Sequence, residues 1–378
     1  MDESREAVAK ILNAPAEAVT FVGNATDGVN TVLRNLKWAD DGKDVILHFN
    51  TTYEACINAV DYLVDYFGPD KLSAKPIQLT YPVEDDEVIQ AFRDAVEEVK
   101  QQGKRPRLAM YDVVSSRPGV KFPWEKMTAA CKELGVQSLV DGAQGIGMVK
   151  LDLQKHDPDF FLSNCHKWLF TPRGCAVFYV PVRNQHLLPS TLATSHGYVS
   201  ASAKRVAPPL PETGKTAFLN NFGFVGSRDN SAYYAAKDAI KWREEFCGGE
   251  DRIMEYIHDL NRRGIKKVAE ILGTEYLDNK EGTLTQCAMG NVALPIWVEK
   301  AGREGDIVIP RDDASKAFQW IKKIMYSEHN ILLPVFFIGD RYWMRLSAQI
   351  YLDESDYEKG ADIVKKICER VRKGDYKD

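Results

Sequence analysis

The first two-thirds of the chain alternate short apolar runs with segments of helical spacing, and this alternation constrains the fold more than any other feature. Apolar runs typical of buried strands lie at residues 18–22, 45–49, 108–114, 138–140, 159–163 and 175–180. Segments of helical spacing lie between them at residues 26–36, 55–67 and 125–134. Such alternation predicts an α/β fold with a mainly parallel central sheet flanked by helices.

The pattern changes in the last third of the chain. Long helices are predicted at residues 232–245, 251–272 and 355–373, with short strands at 288–295 and 342–347. This is an α+β pattern, so we expect a large α/β domain over residues 1–230 and a smaller C-terminal domain over residues 231–378. Residues 200–216 are rich in Ala, Pro and Lys and predict an irregular loop between the two.

Composition excludes several classes of protein. The formal net charge of -5 leaves no basic excess for binding nucleic acid. No apolar run approaches the length of a membrane-spanning helix, and the acidic first residues lack the features of a signal peptide. Seven cysteines at irregular spacings predict neither a disulfide framework nor a metal site. We therefore expect a cytoplasmic protein with no metal, nucleic-acid or membrane partner.

Polar residues stand where the predicted strands end. In a parallel sheet these ends gather at one edge, and ligands bind there. The residues are Ala25 and Thr26 at a helix start, Tyr53, Ser116, Asp141, and the pair His166 and Lys167. Each also has an ordinary interpretation, such as a helix cap for Thr26, a loop cap for Asp141 and an exposed loop position for Lys167.

Taken together, these side chains match the chemistry of pyridoxal phosphate. Asp141 suits a protonated pyridine nitrogen, and Lys167 supplies the primary amine that an aldehyde requires. Tyr53 can stack on an aromatic ring. The phosphate requires backbone N–H groups and polar donors, which the helix start at Ala25 and the imidazole of His166 provide.

The sequence resembles the aminotransferase class V family of fold-type I enzymes that use pyridoxal phosphate. The matching motifs are NATDGVN, VDGAQGIG, SNCHKWLFTPRG, VGSRDNSAY and MRLSAQIY, which occur in the family's order over nearly the whole chain. The stretches TYEACINAV and TSHGYVS, together with Asn164 before Cys165, are most similar to the branch that contains isopenicillin N epimerase-like proteins and hercynylcysteine sulfoxide lyase of ergothioneine biosynthesis. The resemblance implies the fold-type I transferase fold with its smaller C-terminal domain.

The resemblance also implies how the cofactor is bound. The cofactor-binding residues it indicates are Ala25, Thr26, Tyr53, Ser116, Asp141, Gln144, His166, Lys167 and Ser227. Asp141 and Gln144 match the residues at the ring nitrogen and the phenolic oxygen. Ser116 stands where desulfurases carry an Asn near that oxygen, and Tyr53 stands where relatives place the stacking ring.

Two further residues extend the resemblance to substrate and partner. Arg345 matches the guanidinium that binds the substrate's α-carboxylate, a task that suits its bidentate fork. Ser227 matches a hydroxyl that relatives extend to the partner subunit's phosphate, which implies a homodimer with shared active sites. The alternative for Ser227 is a cap on the helix that begins near Ser231.

The chain departs from the family pattern in two places. Cysteine desulfurases carry a nucleophilic Cys ahead of the substrate-binding Arg, but residues 330–339 contain none, and Cys287 is interpreted as a core residue. Sulfur transfer through an enzyme persulfide is therefore not expected. Relatives usually have an N-terminal segment before the helix at which this chain starts, so we expect a chain that is either shortened or naturally short.

The combined expectation is a carbon–sulfur β-lyase. It would cleave an S-substituted cysteine sulfoxide of the hercynylcysteine type to a sulfenate or thiol product, pyruvate and ammonia. Lys167 would remove the Cα proton, Asp141 would keep the ring nitrogen protonated, and Tyr53 would donate a proton to the leaving sulfur. The alternatives are an epimerase of the isopenicillin N type, a cysteine desulfurase-like enzyme, and a cofactor-binding protein without turnover.

Overall fold

A computed structural model describes residues 1–202 and 214–377, which divide into two compact units. The first unit comprises Met1–Leu79, Asp85–Val114 and Phe122–Glu250, and the second comprises Thr80–Glu84, Ser115–Lys121 and Asp251–Asp378. The predicted domains stay a prediction, and the first unit extends beyond residue 230 to Glu250. Of the predicted irregular loop, residues 203–213 lie outside the described residues.

A seven-stranded sheet forms the centre of the first unit. Its strands are β1 (Val19–Val22), β2 (Asp44–Phe49), β3 (Leu72–Ile77), β4 (Arg105–Asp112), β5 (Gln137–Asp141), β6 (Phe160–Asn164) and β7 (Ala176–Tyr179). They lie in the order β1-β7-β6-β5-β4-β2-β3. Strands β3, β2, β4, β5 and β6 pair in parallel, and β7 runs antiparallel to β6 and β1. The predicted mainly parallel sheet is therefore confirmed.

Burial on both faces explains why these strands are continuous apolar runs. Strands β1, β2, β6 and β7 are buried at every position, as is typical of parallel sheets covered by helices. Core side chains such as Val29, Val60 and Phe178 are fully buried in one cluster with the sheet. Each such side chain contributes about 1.5–3 kcal/mol relative to an exposed position.

Helices of the first unit precede, connect and follow these strands. They are α1 (Asp2–Ile11), α2 (Ala25–Asn35), α3 (Glu54–Phe67), α4 (Asp85–Gln101), α5 (Trp124–Leu134), α6 (Leu153–His156), α7 (Cys165–Trp168), α8 (Ala217–Gly223), α9 (Ser231–Tyr234) and α10 (Ala236–Cys247). The cap of α2 is Asn24, whose side chain accepts a hydrogen bond from the Asp27 amide. The capping role considered for Thr26 is therefore wrong, because the helix begins one residue earlier than the spacing predicted.

Sequence patterns did not predict β3 or α4. Strand β3 contains Lys75 and Pro76 and is only partly buried, because it lies at the edge of the sheet. Helix α4 did carry a signal, since acidic residues fill its first turn and its buried residues, such as Val88 and Phe92, recur at helical spacing.

The second unit contains a four-stranded sheet in the order β10-β11-β8-β9. The strands are β8 (Met289–Val298), β9 (Ile307–Ile309), β10 (Val335–Ile338) and β11 (Arg341–Ser347), and the helices are α11 (Glu250–Leu272), α12 (Arg311–His329) and α13 (Glu354–Lys373). Strand β11 is antiparallel to both β10 and β8. The predicted helices at residues 251–272 and 355–373 are found with small shifts at their ends.

Membrane-spanning helices and metal-binding clusters are absent from the described residues. Within residues 1–202 and 214–377, no helix has both the length and the apolar character needed to cross a membrane. In the same ranges, no group of three or more His, Cys, Asp or Glu side chains is arranged to hold a metal ion.

Candidate active site

The carboxyl ends of the parallel strands bring several predicted residues of the first unit to one edge of its sheet. Strand β1 leads into α2 at Ala25, β2 leads into α3 just after Tyr53, and β5 ends at Asp141. Strand β6 leads directly into α7, which carries His166 and Lys167. We call this the carboxyl edge.

The start of α2 is fixed to the end of β6. The Ala25 amide donates to Asn164 Oδ1 at 2.9 Å. Gly28 allows this close approach, because a Cβ atom there would lie 3.0 Å from Leu162 Cδ2. The helix N-terminus therefore stands beside α7, where its N–H groups and dipole suit a phosphate. Asn164 belongs to the motifs that carry the family resemblance, but its contact with the Ala25 amide was not predicted.

Asp141 is held at the tip of β5 with only 1% of its surface exposed. Its Oδ1 accepts the Ala143 amide at 2.9 Å, and its Oδ2 accepts the Cys56 thiol at 3.5 Å. Burial raises the pKa of Asp141, while the Ala143 amide and the charge of Lys167 oppose that rise. A buried carboxylate requires a cationic partner, and a protonated pyridine nitrogen provides one.

A second buried acid, Asp112, lies beside Asp141 and was not predicted. Asp112 ends β4 as the register partner of Asp141, and only 6% of it is exposed. Burial and the charge of Asp141 raise the pKa of Asp112 well above its ordinary value, whereas Lys167 opposes the rise. The sequence signal was an acid inside an apolar run, which was interpreted as part of the strand.

Lys167 lies among the groups that its predicted role requires. Its positive charge lowers the pKa values of Asp141, Asp112 and Cys56 and also that of His166. The ammonium group therefore lies within electrostatic range of both acids of the carboxyl edge. This arrangement does not match an exposed loop lysine, because Lys167 is partly buried in the one-turn helix α7.

His166 is oriented by the start of β7. Its Nδ1 lies 2.8 Å from the Cys175 carbonyl oxygen, which fits an Nδ1–H donor. Burial lowers the pKa of His166 and so favours the neutral ring. When Nδ1 carries the hydrogen of the neutral ring, Nε2 has none, so Nε2 can donate a hydrogen bond to a phosphate only when the ring is protonated. The predicted contact of His166 with the phosphate stays a prediction.

Gln144 is oriented by a buried neighbour of the lysine. The Trp168 indole N–H donates to Gln144 Oε1 at 2.7 Å. The amide group of Gln144 is thereby fixed, with its oxygen engaged by the protein. Its NH2 group suits an acceptor such as the phenolic oxygen of the cofactor.

Tyr53 and Ser227 are the exposed members of the predicted site. Tyr53 caps α3 without a side-chain hydrogen bond and is 45% exposed, so its ring has room for a stacking partner. Ser227 is exposed in the turn before α9, whose N-cap is Asn230. The capping alternative for Ser227 is therefore wrong, and its predicted contact with a partner subunit stays a prediction.

In the second unit, Arg345 stands on β11 with an incomplete set of hydrogen bonds. Its Nη1 donates to the Ser116 carbonyl at 2.7 Å and lies 3.3 Å from the Ser116 hydroxyl. Its buried Nε has no hydrogen-bond partner among the described residues. Burial and the charge of Arg117 lower the pKa of Arg345 to about 10. A buried guanidinium with an unused donor suits a carboxylate ligand.

The loop that carries Ser116 is shaped to fit this arginine. A Cβ atom at Gly119 would lie 2.5 Å from Arg345 Cδ, so only glycine leaves room for the side chain. Asn291 fixes the loop by accepting the Gly119 amide at 2.8 Å and donating to its carbonyl at 3.0 Å. Within this unit Ser116 contacts Arg345, and its predicted contact with the cofactor stays a prediction.

Comparison with known proteins identifies the family. Residues 1–294 match the family described as aminotransferase class-V. The chain belongs to the aminotransferase class V family. The predicted family and fold-type I architecture are thereby confirmed, as is pyridoxal phosphate as its cofactor.

Members with named activities are similar over almost the whole chain. An L-cysteine desulfhydrase-like protein of Epichloe uncinata, lolT2, is 30% identical over 387 residues, covering 98% of this chain and 82% of the relative. Hercynylcysteine sulfoxide lyase of Schizosaccharomyces pombe is 32% identical over 368 residues, covering 97% and 84%. By family and by these relatives, the chain is an enzyme of the carbon–sulfur lyase group that depends on pyridoxal phosphate.

A solved structure shares the fold. The cystine C–S lyase C-DES, in complex with its product cysteine persulfide, superposes with a TM-score of 0.74 at 17% identity, covering 97% of this chain and 85% of that one. This likeness supports the architecture of the chain but does not indicate its substrate.

Proposed function

We propose that this enzyme is a β-lyase that cleaves an S-substituted cysteine sulfoxide of the hercynylcysteine type. The products would be a sulfenate, pyruvate and ammonia, in ergothioneine biosynthesis, with a thiol in place of the sulfenate only where the substrate is a thioether. The observation that carries the proposal is the buried carboxyl of Asp141 at the carboxyl edge, which lies within electrostatic range of Lys167. The substrate class is supported by the 32% identical hercynylcysteine sulfoxide lyase.

The residues of the carboxyl edge perform the proton chemistry in this proposal. When bound, pyridoxal phosphate supplies an aldehyde that links to amines and a ring that accepts electrons from the substrate's Cα. Lys167 Nζ binds the cofactor and later takes the Cα proton. Asp141 holds a proton at the ring nitrogen, since a buried carboxylate favours a cation beside it. Gln144 contacts the phenolic oxygen through the NH2 group that its bond with Trp168 leaves available.

Arg345 and Tyr53 act on the substrate in this scheme. The buried Nε of Arg345, without a partner among the described residues, takes up the substrate's α-carboxylate. Tyr53 stacks on the cofactor and donates its phenolic proton to the sulfur as the Cβ–S bond breaks. Water then supplies the oxygen of pyruvate as ammonia leaves.

Sulfur leaves with the product in this scheme, so no enzyme thiol has to accept it. Residues 330–339 contain no Cys. Cys287 is buried with its Sγ 3.2 Å from the Met289 carbonyl, and burial raises the pKa of its thiol to about 12. Such a thiol is a poor nucleophile, which argues against the desulfurase alternative.

The proposal includes the assembly and location expected from the sequence. Ser227 of each chain would contact the phosphate in the other subunit of a homodimer, in the cytoplasm. Its exposed turn supports this role. Mixing Lys167→Ala chains with Ser227→Asp chains should partly restore activity, because one site of each mixed dimer carries neither change. Demonstrated subunit exchange without any recovery would contradict the shared site.

The substrate is tested with a panel of S-substituted cysteines and their sulfoxides. Each reaction is scored for pyruvate, for the sulfur product and for inversion at Cα. We expect equal amounts of pyruvate and sulfur product, with the sulfoxides turned over fastest. Inversion without pyruvate would indicate an epimerase, alanine with sulfur retained on the enzyme would indicate a desulfurase, and either result would contradict the proposal.

A further inference from the structure

The carboxyl edge holds a buried acid that the proposed reaction does not use. Asp112 ends β4 in register with Asp141 at the end of β5. Register partners in adjacent parallel strands project from the same face of the sheet. Both side chains are more than nine-tenths buried, with 6% and 1% of their surfaces exposed. The two carboxyl groups therefore share one environment.

Their hydrogen bonds distinguish the two acids. Asp141 accepts from the Ala143 amide at 2.9 Å and from the Cys56 thiol at 3.5 Å. For Asp112, the described part of the chain provides no side-chain hydrogen bond in the structure. Donors favour the ionised form of the carboxyl that accepts them. Asp141 is thus equipped to carry a negative charge, and Asp112 is not.

The surrounding charges lead to the same assignment. The ionisable groups that act on Asp112 are Asp141, which repels a second negative charge, and Lys167, which attracts one. Cys56 on α3 is an ionisable neighbour, and burial together with the negative charges of both acids raises the pKa of its thiol. One ammonium group balances one carboxylate, and two buried carboxyls side by side do not both ionise.

We propose that Asp112 and Asp141 form a carboxyl pair that holds a single proton, carried by Asp112. Asp112 is then a positioning residue, because its neutral form leaves Asp141 as the one negative charge opposite the cofactor's ring nitrogen. The inference rests on the role of Asp141 in the proposed function. Asp112 has no part in the proposed reaction scheme. The shared proton is expected in the protein both with and without substrate.

Infrared spectroscopy of the cofactor-free protein tests this proposal, because a neutral carboxylic acid and an ionised carboxylate absorb at different frequencies. At neutral pH we expect a carboxylic acid band in the wild type and its loss in Asp112→Asn. The matched control is Asp44→Asn. Asp44 is buried like Asp112, but it is ion-paired with Arg105 at 2.6 Å, so its replacement should leave the band unchanged.

Several results would overturn the proposal. These are a wild type without the band and a band that survives in Asp112→Asn. If Asp112→Asn does not fold, NMR of the wild type with ¹³C-labelled aspartate replaces it. One buried carboxyl should then stay protonated at neutral pH, and its absence would contradict the pair.

A second arm concerns the cofactor and is independent of turnover. The band should persist when pyridoxal phosphate binds, because Asp141 and not Asp112 carries the charge opposite the ring. Loss of the band on binding would mean that Asp112 gives up its proton, which would overturn the assignment. A failure of lyase activity would affect neither arm.

Discussion

Both edges of the sheet in the first unit bury aspartates, but the two edges supply them with different hydrogen-bond donors. At the amino edge, Asp44 begins β2 and accepts from Arg105 at 2.6 Å and from the Ala39 amide at 2.8 Å. At the carboxyl edge, Asp141 accepts one hydrogen bond from an amide and one from a thiol. Asp112 accepts no side-chain hydrogen bond in the part of the chain that the structure describes. Lys167 lies within electrostatic range of both acids.

The comparison separates structural acids from functional ones. An acid that is fully hydrogen-bonded within the protein stabilises the fold, whereas an under-supplied buried acid costs stability. A sequence retains the second kind where a ligand completes its interactions. The carboxyl edge is therefore identified as the ligand site by what its side chains lack as well as by what they contain.

The largest effect is expected from removing the amine of the carboxyl edge. Lys167→Ala should lower the rate of pyruvate formation at least about a hundredfold, since a positioned general base contributes that much or more. Lys155→Ala is the control, because Lys155 is an exposed lysine in α6. Substantial turnover by Lys167→Ala, measured with lactate dehydrogenase, would remove the residue from its proposed role.

A smaller effect is expected from the second unit. Arg345→Ala should reduce kcat/KM about a hundredfold, because truncating one partner of a buried charge pair costs several kcal/mol. The visible spectrum of the bound cofactor should stay unchanged. Arg345→Lys keeps the charge but loses the bidentate fork, so its loss should be intermediate. An effect of only a few-fold in Arg345→Ala would place the substrate carboxylate elsewhere.

The smallest effects concern stability and compare the two edges directly. The raised pKa of Asp112 means that the folded protein binds this proton more tightly than the unfolded chain. The stability it contributes is present at low pH and declines as pH rises above about 4, the value of an unfolded aspartate. Asp112→Asn should therefore be more stable than the wild type at neutral pH, and this gain should vanish below about pH 4.

The matching variant at the amino edge should behave in the opposite way. Asp44→Asn loses a charge-assisted bond to Arg105 and should lower the free energy of unfolding by about 1–3 kcal/mol at neutral pH. Urea unfolding at several pH values measures both variants. Equal destabilisation by Asp112→Asn and Asp44→Asn would remove the distinction between the edges.

The sequence predicted the parts of the fold whose periodicity is strong. Strand β2 and helix α3 follow from a continuous apolar run and a helical spacing, and they differ from the prediction by one residue at their starts. Strand β3 was missed because an edge strand has no continuous apolar run. Asp112 was missed because the apolar run continues to Val114, two residues past the end of the strand.

Contacts between residues that are distant in the sequence limit how much of the site could be predicted. Ser116 and Arg345 are 229 residues apart in the chain, and no periodicity connects them. Lys167 and Asp141 were predictable because each follows its own strand in a sheet whose parallel ends meet. The hydrogen bond from Cys56 to Asp141 depends on how α3 packs, which the sequence pattern does not encode.

The central claim is that Lys167 at the carboxyl edge binds the cofactor. Borohydride reduction of the holoenzyme makes the bond between cofactor and lysine permanent, and peptide mass spectrometry then locates it. We expect the added mass on the peptide that contains Lys167, and none after reduction of Lys167→Ala. The added mass on any other lysine, or its absence from a holoenzyme that turns over substrate, would contradict the account.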